Sequence, residues 1–124
     1  MSVSLTQLIQ AASELAEWFG LDSKIDIRIR CYDVGMLGSI KIEGCRAHSC
    51  VELYADAIRE WSRSNSKSMR ETYAIVLVHE MVHLSQEFRG SSNVPDEAEE
   101  NEALALEKVY APHVLRILQG RAKG

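Results

Sequence analysis

The sequence predicts an α+β domain, and three observations predict it. Apolar residues recur at helical intervals through residues 3–19. A period-two alternation follows from Ile25, and residues 72–84 are apolar nearly all round before an acidic helical segment. The order read from these patterns is one helix, about three strands, then two or three helices. With 124 residues, 46% of them hydrophobic and 26% charged, residues 1–124 suit one globular domain around one core.

In the first helix, Leu5, Leu8, Ile9, Ala12, Leu15, Ala16 and Phe19 stand three or four residues apart, and Gly20 is a natural stop. Ile25, Ile27, Ile29 and Cys31 then alternate with Asp26, Arg28 and Arg30, the pattern of a half-buried strand. Gly35, Gly38 and Gly44 bracket a second short strand, SIKIE, and CVELYAD is the third. AIREW reads as helical or irregular, and SRSNSKS as a polar connection. TYAIVLVHEMVHL, without Gly or Pro and too long for one strand, reads as a buried central helix within residues 69–88. After the loop RGSSNVP, Pro95, Asp96 and Glu97 suit the first turn of a last long helix. Pro112 is expected to break or kink that helix before HVLRIL.

Charge and composition remove several classes. Fourteen Lys and Arg against 18 Asp and Glu leave a net charge of −4, which argues against a phosphate-binding surface and hence against nucleic acid as a partner. No apolar run approaches the roughly 20 residues that span a bilayer, so no membrane partner is expected. MSVSLTQLIQ lacks a basic region and an apolar run of secretory type, and a cytoplasmic location is expected. Cys31, Cys45 and Cys50 form an odd set without CxxC spacing, which reads as ordinary thiols rather than disulfides or a zinc ribbon.

The chemistry is concentrated in His79-Glu80-Met81-Val82-His83, an HExxH sequence. At this chain's His and Glu content such a match arises by chance about 1% of the time, so it is treated as signal. Residues four apart lie one turn apart on one helix face, where two imidazoles can converge on a cation. Glu80 points about 100° round from His79, beside the cation, where it can take a proton from activated water and deliver it to a leaving amine. Two histidines and a glutamate among Val76, Leu77, Val78, Met81 and Val82 are costly to bury without such a partner. One Zn²⁺ ion is the expected cofactor, since it brings the pKa of bound water to about 7.

Catalytic zinc needs a third protein ligand. The segment DEAEENEALALE offers Glu97, Glu99, Glu100, Glu102 and Glu107. On a helical wheel Ala98, Ala103, Ala105, Leu106, Val109 and Tyr110 define the apolar side, and Glu99 and Glu102 project into it. Glu102 is the first choice, Glu99 the second and Glu100 the third. HExxH followed by a glutamate on a second helix resembles the gluzincins, the thermolysin-type zincin metallopeptidases, and in particular their minimal forms. Their second motif typically reads Asn-Glu before small and apolar residues, with an Asp four places on. Asn101-Glu102-Ala103-Leu104-Ala105 fits its beginning, although Leu106 replaces the Asp that would support a metal-binding histidine. Other gluzincins use Glu-x-Glu-Ala-Asp, which would match Glu100-Asn101-Glu102-Ala103 and make Glu100 the ligand, with Leu104 in place of the Asp. The metzincin pattern HExxHxxGxxH is absent, because Gln86 stands at its Gly position and no third histidine follows.

The resemblance implies a zincin-like fold in which CVELYAD is an edge strand along a cleft, able to hold an extended peptide or protein substrate. Tyr110 and His113 could reach the site to stabilise an oxyanion, although a core and a surface role respectively suit them better. His48 reads as a surface residue, and Trp18 and Trp61 as core or interface anchors. The expected function is zinc-dependent peptide-bond hydrolysis, with His79, His83 and Glu102 on the metal and Glu80 as general base. A zinc-binding regulatory or interaction module without protease activity is the alternative. The sequence assigns neither a substrate nor an oligomeric state.

Overall fold

The computed structural model describes residues 3–32, 35–43, 48–90 and 95–120. Among them the order is α1 (Leu5–Trp18), β1 (Lys24–Arg30), β2 (Gly38–Ile42), β3 (His48–Tyr54), α2 (Ala55–Ser64), α3 (Met69–Phe88) and α4 (Glu97–Leu118). The chain is therefore α+β, with four helices and a three-stranded mixed sheet among the described residues.

The sheet order is β1-β3-β2, with β1 parallel and β2 antiparallel to β3. Ile27, Val51 and Ile40 form one row across it, and Ile29, Leu53 and Gly38 the next. These rows present the apolar face, where Val51 and Leu53 are fully buried. The opposite face carries Arg28 paired with Glu43 and Arg30 paired with Glu52, while the central strand β3 is buried on both sides, with Cys50 and Tyr54 on this second face. CVELYAD is therefore not an edge. Just before β2 the Leu37 carbonyl accepts from the Tyr54 N–H at 3.0 Å, at the end of β3, and β3 lies between the two strands that precede it in the chain. Chain order could not reveal this, because a parallel pair needs a crossover while a hairpin pairs neighbours. AIREW is helical, as part of α2.

Helix α3 is the buried centre that its all-round apolar sequence predicts. Tyr73, Ala74, Val76, Leu77, Val78, Met81, Val82 and Leu84 are all buried. A capping box starts it: Ser68 Oγ accepts from the Glu71 N–H at 3.0 Å, and the Glu71 carboxylate accepts from the Ser68 N–H at 2.9 Å. Asp96 and Glu99 form the same device at the start of α4. Helix α4 runs through Pro112 without ending, so the proline does not break it. A mid-helix proline costs about 3 kcal/mol. Burial of Val114, Ile117 and Leu118 beyond it, each contributing about 1.5–3 kcal/mol, offsets that cost. No helix among the described residues is long and apolar enough to cross a membrane.

Ser68→Ala is expected to lower stability by about 1 kcal/mol in urea unfolding. The Ser68 backbone and hydroxyl hold the Glu71 carboxyl below its ordinary range. The Glu71 contribution is thus complete above the unfolded-state pKa of about 4.3 and is lost as pH falls through the lower folded value. The stability gap between the wild type and Glu71→Ala should accordingly close in acid.

Candidate metal centre

Helices α3 and α4 pack antiparallel, so that His79, His83 and Gln86 of α3 meet Glu107, Glu100 and Glu99 of α4 in turn, while the long Arg89 side chain reaches back to Glu102. Ala103, fully buried, sits at the centre of the α4 face turned to α3. Glu100 and Glu107 lie seven residues apart and about 20° apart in projection, on one shoulder of Ala103. Glu99, Glu102 and Leu106 lie on the other.

That rotation decides the third donor. His79 Nε2 and His83 Nε2 are 3.0 Å apart. Glu100 Oε1 lies 3.0 Å from His83 Nε2 and 3.4 Å from His79 Nε2. Among the described residues these three form the one group of His, Cys, Asp and Glu side chains gathered closely enough to hold a metal ion. Glu102, expected first, instead accepts from Gln86 Nε2 at 2.8 Å and from Arg89 at 2.7 Å. These two donors hold its carboxyl below the ordinary range. Glu99, expected second, has its carboxylate in the α4 capping box. The wheel was misled because Ala98, Ala105 and Val109 were counted as apolar face, and all three are exposed, Val109 at 63%. Alanine marks a helix face poorly, since it is tolerated on either side.

The other nitrogen of each ring is also occupied. His79 Nδ1 donates to Glu107 Oε2 at 2.5 Å, and His83 Nδ1 lies 2.7 Å from Gln86 Oε1. Glu107 therefore supplies the supporting carboxylate that Leu104 and Leu106 cannot. Neither Glu107 nor Gln86 was assigned a role from sequence. The available signals were the seven-residue spacing of Glu100 and Glu107, and a glutamine three places after His83. Glu107, followed by Glu80 and Glu100, raises the His79 pKa against the opposing effect of burial. Burial, aided by Glu100 and Glu107, raises the Glu80 pKa, while His79 and His83 draw it down.

The donor chemistry fits a divalent cation. With both Nδ1 atoms protonated, two imidazole lone pairs and a carboxylate oxygen converge with no proton between the neutral rings. Their separations bracket the roughly 3.3 Å expected between neighbouring donors around tetrahedral zinc with bonds of about 2.0–2.1 Å. His79, Glu80, His83 and Glu100 line a cleft of about 630 Å³, whose other wall is the edge strand β2 from Gly38 to Ile42. Gly38 permits this approach: a Cβ there would lie 2.9 Å from Val76 Cγ1 and 3.0 Å from Glu80 Cγ.

Several other candidates lie elsewhere. Tyr110 packs on Trp18 and Phe19 with ring centroids at 5.2 Å, while His113 packs against Trp18 with its ring tilted by 58° and bonds Glu14 at 3.0 Å. Both face α1. His48 is exposed at the start of β3. Cys31 is exposed, Cys50 is buried in the sheet, and neither joins the histidine pair; Cys45 lies outside the described residues. Comparison with known protein families, curated proteins and solved structures returned no match to this chain.

Glu100→Gln should weaken zinc binding, read by chelator competition, beyond the roughly 10–100-fold that loss of an outer partner costs; Glu102→Gln should not exceed that range. Gly38→Ala should cost about 1–3 kcal/mol in thermal or urea unfolding, because Val76 and Glu80 must both shift.

Proposed function

We propose that this chain is a zinc-dependent metallopeptidase domain of gluzincin type, with His79, His83 and Glu100 as metal ligands and Glu80 as general base. The observation that carries the reading is the convergence of two imidazole Nε2 atoms and Glu100 Oε1 beside Glu80 in one open cleft. Glu100 corresponds to the Glu-x-Glu-Ala register of the resemblance, and Glu107 takes over the task of the missing Asp.

When bound, zinc supplies Lewis-acid polarisation of water and of a substrate carbonyl. The remaining work falls to the chain. The exposed edge of β2 offers backbone N–H and C=O groups to an extended peptide laid along the cleft. Glu80 accepts a proton from the attacking water on its carboxylate and returns it to the nitrogen of the leaving amine. Glu107 and Gln86 orient the rings so that both Nε2 atoms face the cleft side.

The test is cleavage of a mixed peptide library, read by mass spectrometry, after zinc loading and elemental analysis. The wild type should yield products, and Glu80→Gln should retain zinc while losing about 10²–10⁴-fold in rate. Identical products from both proteins would remove Glu80 from the chemistry. Zinc uptake without any cleavage would leave the non-hydrolytic binding module as the function.

A further inference from the structure

We infer that Gln86, held by Glu102 and by the Glu99 carbonyl, is the positioning residue that fixes His83 in the tautomer with Nδ1 protonated and Nε2 bare. Gln86 is 2% exposed, so its amide must find its partners within the protein. Nε2 lies 2.9 Å from the Glu99 carbonyl oxygen and 2.8 Å from Glu102 Oε1. Both are acceptors, so the NH₂ group must face them. An amide turned the other way would set its oxygen against a carbonyl and a carboxylate at once. Oε1 is thereby aimed at His83 Nδ1, 2.7 Å away, and a ring nitrogen opposite a carbonyl oxygen must carry the hydrogen. Arg89 closes the chain by donating to the same Glu102 oxygen at 2.7 Å, which holds that carboxylate in place. Glu102 thus influences the site through two hydrogen bonds rather than as a ligand.

The inference rests on the metal-centre reading only for its consequence on zinc, because the tautomer is a property of the metal-free chain. It can be read directly from ¹H–¹⁵N NMR of ¹⁵N-histidine-labelled, metal-free protein at mildly alkaline pH. The wild type should show His83 with Nδ1 protonated and Nε2 bare; the reverse assignment overturns the inference without any variant. Gln86→Met, close in volume but without the amide, should mix the two tautomers and weaken zinc binding by about 10–100-fold. An unchanged His83 spectrum in a folded Gln86→Met protein would also overturn it. If the wild type takes up no zinc yet Gln86→Met still scrambles the His83 tautomer, the metal reading falls and the positioning role stands.

Discussion

Two imidazole nitrogens facing one another at 3.0 Å, each with its ring's only other nitrogen already donating, are the constraint around which this molecule is organised. Neutral rings in that arrangement present lone pair to lone pair, with the Glu100 carboxylate oxygen as a third donor. Only a proton or a metal ion reconciles them. The arrangement is held by partners on α4 and on the last turns of α3, so it depends on how those two helices meet.

That meeting is set by apolar packing. Ala103 lets α4 lie close on α3, and Val114, Ile117 and Leu118 anchor the far end of α4 strongly enough to carry the helix through Pro112. With the contact fixed at Ala103, Glu100 and Glu107 fall to the histidine side, and Glu102 falls towards Gln86 and Arg89. On the opposite flank, Gly38 allows β2 to press against Val76 and Glu80. Glu80 is thereby confined between a strand and the histidine pair, and burial raises its pKa. Packing and chemistry share their residues here.

Much of the fold was legible along the chain because its signals are local. Period two marked β1, glycines bracketed β2, the all-round apolar run marked α3, and Gly20 and Pro95 bracketed helices close to where α1 ends and α4 begins. The misplaced features are those whose determinants are not local. The position of β3 at the centre depends on which strands pair and not on their order along the chain. The continuity of α4 at Pro112 depends on what its final turns bury.

The same division runs through the site. The sequence by itself determined the two histidines and Glu80, because their relation is the pitch of one helix and needs nothing else. It also determined that a carboxylate-rich helix follows. Only the tertiary structure decided that Glu100 joins the histidines, that Glu107 and Gln86 hold the rings, and that Glu102 serves Gln86 and Arg89. Those choices depend on the rotation and register of α4 against α3. A helical wheel describes one helix, whereas a shared site is a property of the contact between two.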